Sequence, residues 1–174
     1  QIVGTAKESL KFVWKRMMTE LAPQDKSGLY QRPRVDFGGD IGSSEHPIER
    51  GRYQIYTGNP CPWCHRVQLV VNVLGLEDVV GVTHLIDDPI KASRGGWIFR
   101  SKEDSKLGVN DLRELYDKLT GRSYEGRCTA PLLIDLQTKT IVSNESPEIV
   151  RMLPRLLQLK EKHGDENEEG TPTS

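Results

Sequence analysis

The chain has 174 residues, 36% of them hydrophobic, which is enough for one ordinary core with trimmings and too few for two large domains. Its 24 basic and 25 acidic residues are spread along the sequence, leaving no basic stripe for nucleic acid and no polybasic patch for a membrane surface. No apolar run approaches the roughly 18–20 residues of a membrane span, and nothing at the start reads as a secretory signal.

Small-molecule chemistry is the function class these exclusions favour. Three cysteines are an odd number and too few for a disulfide scaffold, which points to a reducing compartment and to thiols with a redox or structural role. Because the first residue is Gln1 and not Met, a leader is expected to have been removed or omitted.

Residues 1–22 read as an amphipathic helix, with Thr5 and Glu8 at capping-box spacing, Leu10, Val13, Trp14, Met17 and Leu21 in one apolar stripe, and Pro23 as the stop. Such a stripe needs something to lie on, and core packing against the following domain is the expectation. Residues 23–49, rich in proline and glycine and without periodicity, read as an extended arm to which no chemistry is assigned.

Gly51 to Thr57 alternates as a strand with Tyr53, Ile55 and Thr57 on one face. Helical spacing of Val67, Leu69 to Val71 and Val73-Leu74 follows, predicting a helix over about 62–75. Between them lies Asn59-Pro60-Cys61-Pro62-Trp63-Cys64-His65-Arg66. Pro62 suits the first helical position, and the free amides and positive dipole end there favour a thiolate at Cys61. Cys64, about one turn on, is near enough to exchange with a disulfide formed on Cys61.

Val79 to Ile86 predicts a second strand, parallel to the first through the intervening helix, ending in a turn at Asp87-Asp88-Pro89. Residues 87–107 read as a long loop whose aromatic tip, Trp97-Ile98-Phe99, acts as a lid or a plug. A helix is predicted over about 109–119 with Leu112, Leu115, Tyr116 and Leu119 on one face and Gly121 ending it.

Leu132 to Asp135 and Thr140 to Val142 form a predicted β-hairpin, entered through Pro131, whose bond to Ala130 is a candidate cis peptide. Ser146 as N-cap and Pro147 at the first helical position start a final helix with Ile149, Val150, Met152 and Leu153 as its apolar side. The order βαβαββα is that of an α/β thioredoxin-like fold. The expected organisation is a helical and extended arm over 1–49, the thioredoxin-like domain over 50–155, and a disordered polar tail over 156–174.

Four motifs in this order and spacing carry a resemblance: Cys61-Pro62-Trp63-Cys64, Gly95-Gly96-Trp97-Ile98-Phe99, Gly126 to Pro131, and Ile141 to Ser146. The chain resembles the xi-class glutathione transferases, the glutathionyl-hydroquinone reductases, and most of all those of photosynthetic organisms. The resemblance implies the glutathione transferase N-terminal domain fold, glutathione as co-substrate, and glutathionylated small molecules such as hydroquinones as partners. It assigns Cys61 as the nucleophile that takes the glutathionyl group as a mixed disulfide. It also implies that the Ala130 backbone, before Pro131, pairs with the cysteinyl unit of glutathione, that Glu145 and Ser146 hold its γ-glutamyl end, and that Trp97 packs over it. Cytoplasm or chloroplast stroma is the implied location, and a homodimer is compatible with the family.

The family usually has Val where Ala130 stands, and its members continue into an all-helical C-terminal domain that supplies the aromatic-substrate pocket. Here the likeness ends near Pro154, so that domain is expected to be missing and glutathione chemistry to survive better than quinone selectivity.

Other readings stay open beside this one. Cys61, Cys64 and His65 spell the c-type haem attachment signature; Cys61, Cys64, Cys128 and a histidine could complete a zinc site; Cys61 with glutathione could hold a cluster across a dimer. No metal is expected. Cys64 resolves disulfides or merely packs, Cys128 is read as a small core residue, and His65 and Arg66 as helix-face charges. Trp97 as a surface plug and Glu145 as a helix-start charge are the bland alternatives. The functional alternatives are a general glutaredoxin-like disulfide reductase using Cys61 and Cys64, and a catalytically idle glutathione-binding or interaction module.

Overall fold

The computed structural model of the protein describes residues 7–12, 14, 25–29, 31, 36–88, 90 and 96–160. The chain divides into two compact units, residues 1–36 and 37–174. In the first, residues 7–12 and 14 are helical; the remainder of the helix expected over 1–22 lies outside the described residues, as does the tail beyond Lys160.

The second unit is built on β1 (Tyr53–Gly58), followed by α1 (Pro62–Leu74), β2 (Gly81–Asp87), β3 (Trp97–Ile98), α2 (Leu112–Thr120), β4 (Leu132–Asp135), β5 (Thr140–Ser143) and α3 (Ser146–Met152). One five-stranded sheet runs in the order β3-β2-β1-β4-β5. β1 and β2 are parallel, with Ile55 opposite Val82, and the pairs β1–β4, β2–β3 and β4–β5 are antiparallel. This is the thioredoxin-like arrangement, with one edge strand more than the sequence pattern predicts.

All six residues of β1 are buried, so both sheet faces carry core. Tyr53 and Ile55 pack with Val67 and Val71 of α1 and with Ile149 and Met152 of α3. On the other face Tyr56, Leu132 and Ile134 pack with Leu112, Leu115 and Tyr116 of α2. Asp111 caps α2, accepting from the Glu114 amide, and Gly121 ends it in the left-handed conformation that glycine adopts at least cost. Leu119, expected on the same face, is only half-buried.

Several expectations are corrected. The loop at 87–107 contains β3, whose Ile98 and Trp97 pair with Ile86 and Asp87; two residues are too short for periodicity to reveal. Phe99 is buried edge-on against Tyr56, ring centroids 5.3 Å apart, and is the plug of that loop. The second strand begins at Gly81, because Val79 and Val80 form the buried turn leaving α1, where the Val79 carbonyl accepts from the Gly51 amide at 2.9 Å. At α3, Glu145 occupies the N-cap position and Ser146 is the first helical residue.

Residues on either side of 50–155 also join the core of the second unit. Ile41 is fully buried in the α1 side of the core, and the Gly39 amide donates to the Val142 carbonyl at 2.9 Å. His46 is buried as well, its Nδ1 3.0 Å from Asp135 Oδ2. The same oxygen accepts from Arg52 Nε at 2.8 Å and Nη2 at 2.7 Å, while Asp135 Oδ1 accepts the Gln137 amide at 2.9 Å at the hairpin tip. At the other end the chain continues from α3 through a 3-10 turn, Leu153–Leu157, in which Leu156 is fully buried. Residues 158–160 are helical, the Leu159 carbonyl accepts from Arg50 at 2.9 Å, and the Lys160 ammonium donates to the Gly75 carbonyl at 2.6 Å, past the last turn of α1. Leu156, Leu157 and Leu159 continue the apolar pattern beyond Pro154, ahead of the polar tail.

Candidate functional site

Cys61 sits where β1 has ended and α1 begins. Its backbone is extended, φ −96° and ψ 113°, and its carbonyl accepts from the Cys64 and His65 amides at 3.0 and 3.2 Å, so it is the N-cap residue of α1. Pro62 follows, contributing no amide hydrogen, and no acidic side chain stands in the first turn to oppose a developing thiolate. The thiol makes no capping bond to its own helix. It points across to the β4 side, donating to the Ala130 carbonyl at 3.5 Å. The peptide bond from Ala130 to Pro131 is cis.

The segment before that bond is held by α2. Tyr116 donates its hydroxyl proton to the Thr129 carbonyl at 3.0 Å and accepts from the Thr129 amide at 3.3 Å and from Asn144 Nδ2 at 3.2 Å. Burial pushes the Tyr116 phenol above its ordinary value, against the hydrogen bonds from Asn144 and Thr129, so it remains a donor at neutral pH. Asn144 also reaches Thr129 Oγ1 at 3.3 Å and precedes Glu145 and Ser146 in the chain, so one network sets both segments. The apolar periodicity of α2 puts Tyr116 among leucines, and its contact with Asn144 is not visible in the pattern; a tyrosine within a buried leucine stripe, whose hydroxyl needs a partner, is the available signal.

Trp97 is half-buried and its indole lies on bare backbone: a Cβ added at Gly58 would meet ring atom Cζ3 at 2.2 Å. The Gly58 carbonyl accepts from the Cys61 amide at 3.1 Å, so Trp97 is seated against the turn that carries the thiol. Ser146 is buried, and its hydroxyl accepts from Arg66 Nη1 of α1 at 3.4 Å; Glu145 beside it is half-buried. Cys61, Ala130, Pro131 and Trp97 thus converge on one turn, and Ser146 is joined to the same helix through Arg66.

Cys64 does not face that groove. It is fully buried with the Tyr56 and Leu115 cluster, and burial, reinforced by its Cys61 neighbour, pushes its thiol up to about 12 in spite of a hydrogen bond at Gly58. Cys128 packs half-buried at the edge of that cluster with Arg113 Nη1 3.4 Å from its sulfur. All three cysteines are free thiols, and among the described residues no three His, Cys, Asp or Glu side chains gather as a metal site.

Residues 60–156 match the model of the glutathione S-transferase N-terminal domain. The chain belongs to the glutathione S-transferase N-terminal domain family. The matched span opens immediately before Cys61 and closes on the buried Leu156. Among curated relatives of this glutathione S-transferase domain is the glutathionyl-hydroquinone reductase PcpF of Sphingobium chlorophenolicum, 38% identical over 75% of this chain and 41% of its own length. Among solved structures are the xi glutathione S-transferase of Phanerochaete chrysosporium, at 36% identity and TM-score 0.62 over 70% of this chain and 42% of that one, and the glutathione-bound YqjG of Escherichia coli, at 29% identity and TM-score 0.59 over 73% and 43%. The chain spans less than half the length of these relatives.

Proposed function

We propose that this domain binds glutathione and removes glutathionyl groups from small molecules, with Cys61 as the nucleophile. The observation that carries the reading is the placement of the Cys61 sulfur at the start of α1, 3.5 Å from the Ala130 carbonyl. An extended thiol peptide laid along Ala130 would bring its own sulfur to Cys61. The curated relatives and the glutathione-bound neighbour support the same ligand.

On a glutathionylated hydroquinone, the Cys61 thiolate attacks the glutathionyl sulfur. The sulfur–aryl carbon bond breaks, a disulfide forms between Cys61 and glutathione, and the aryl carbon takes a proton, so the ring is reduced as the two sulfurs are oxidised. A second glutathione thiolate then attacks the mixed disulfide, releasing glutathione disulfide and the Cys61 thiolate. On a small mixed disulfide the leaving group is a thiolate instead. Trp97 and the Ala130 backbone orient the tripeptide, Glu145 and Ser146 hold its γ-glutamyl end, and Tyr116 and Asn144 keep those segments in place. Free thiols suit a reducing compartment, and the cytoplasm or the chloroplast stroma is the proposed location.

The burial of Cys64 speaks for one working thiol over a Cys61–Cys64 dithiol cycle, because a thiol held neutral is a poor attacking group. The test is turnover of a glutathionyl-hydroquinone and of a small glutathionyl disulfide by the wild type and Cys61→Ser, with mass spectrometry of the trapped intermediate. The serine variant is expected to lose about a thousandfold or more, and the wild type to carry one glutathionyl group on Cys61. An unchanged rate in Cys61→Ser overturns the proposal.

A further inference from the structure

Arg66 lies a little over one helical turn past Cys61 in α1. Its guanidinium stands over the Trp63 ring, 5.0 Å from the centroid, and Nη1 donates to Ser146 Oγ at 3.4 Å. Among the described residues that hydroxyl is its one hydrogen-bond partner, and no carboxylate is in salt-bridge contact with it. Arg50, Arg52, Arg113, Arg151 and Arg155 each hold an acid, Asp78, Asp135, Asp117, Glu148 and Asp40, whereas Arg66 is set apart from the other arginines by its seat on an indole beside the Ser146 hydroxyl. Ordering a long cation at the surface costs rotamer freedom, which stacking on an indole offsets without neutralising the charge. The result is a preorganised fork of donors, most of them unused by the protein, aimed at the segment that contains Glu145 and Ser146.

Given the glutathione reading above, on which this rests, we propose that Arg66 is the carboxylate-binding residue for the γ-glutamyl end of the tripeptide. It holds the α-carboxylate of that unit against the Ser146 hydroxyl. A hydroxyl alone accepts neutral and charged ligands alike, whereas a guanidinium without an acid of its own favours an anion. Trp63, 56% exposed, then serves as the platform that keeps the fork in place.

Calorimetric titration of the whole chain compares glutathione with two analogues: one in which 4-aminobutyrate replaces the γ-glutamyl unit, removing the α-carboxylate, and one in which the glycine carboxylate is an amide. The wild type is expected to bind glutathione about tenfold more tightly than the first analogue, and Arg66→Gln to bind the two nearly equally. Response to the glycine amide is expected to be the same in both proteins. Raising salt from low to about half-molar narrows the wild-type preference and leaves the variant unchanged. Arg66→Lys keeps the charge and is expected to keep part of the preference, which answers the question again if the glutamine variant folds poorly. Full retention of the preference in Arg66→Gln overturns the assignment alone; failure of the wild type to bind glutathione overturns the glutathione reading and this assignment with it.

Discussion

β1 has a polar cluster at each end, and the two are organised in opposite ways. At the Tyr53 end Asp135, His46 and Arg52 are buried together and satisfied by one another, with Asp135 accepting from both side chains and from the hairpin tip. At the Gly58 end the Cys61 thiol reaches the Ala130 carbonyl at 3.5 Å, and Arg66, stacked on the Trp63 ring, reaches the Ser146 hydroxyl at 3.4 Å. Buried polar groups are tolerated when fully paired. The first cluster therefore closes the fold, tying the lead-in at 46, the strand and the hairpin into one piece. The second leaves donors and a nucleophile available to a ligand. The same strand supplies the rigid support for both.

The strongest way to break this contrast is Asp135→Ala, which leaves the buried Arg52 guanidinium with only the half-exposed Glu49 as counter-charge. The expected loss is about 3–5 kcal/mol of unfolding free energy by denaturant titration; a loss below about 1 kcal/mol would mean the first cluster does not close the fold. Gly58→Ala probes the other end. The added methyl group would overlap the Trp97 ring at 2.2 Å, so a cost of about 3 kcal/mol is expected together with shifted tryptophan fluorescence and reduced turnover. Unaltered fluorescence would show that Trp97 does not rest on the turn.

Acid separates the ends more finely. Burial alone would raise the Asp135 carboxyl, but hydrogen bonds from Arg52 and His46 outweigh it and hold the group at about 2, below the ordinary 3.8. A lowered folded value means stability that is complete above pH 4 and is lost as pH falls from 4 towards 2. That contribution is on the order of 2 kcal/mol, and Asp135→Asn is expected to lack this acid step. The smallest effect is expected from Cys64→Ala, about 1 kcal/mol of stability and turnover within about twofold. A collapse of turnover matching that of Cys61→Ser would restore the two-thiol route.

What the sequence discloses follows from how local each cause is. The alternation of Tyr53, Ile55 and Thr57, the helix start at Pro62, the stop at Gly121 and the hairpin are written in neighbouring residues, and each is found where the pattern puts it. Cys61 and Ala130 each stand out in the sequence, yet their meeting across 69 positions is a product of β4 lying beside β1. His46 and Asp135 are 89 positions apart, and a histidine in a proline- and glycine-rich stretch gives no hint of a buried carboxylate partner. β3 is too short to have a period, and the buried Leu156 is masked by the charged residues around it. Arg66 reads as one more helix-face charge until its stacking on Trp63 and its reach to Ser146 are visible in space.

Lys160 has a geometric consequence for access to the sulfur. Its ammonium sits at the far end of the helix that begins at Cys61, on the carbonyls of Leu74 and Gly75. Thirteen residues of α1 separate the two points, about 20 Å of helix. A roof over Cys61 anchored at the Lys160 end of α1 would have to span that distance.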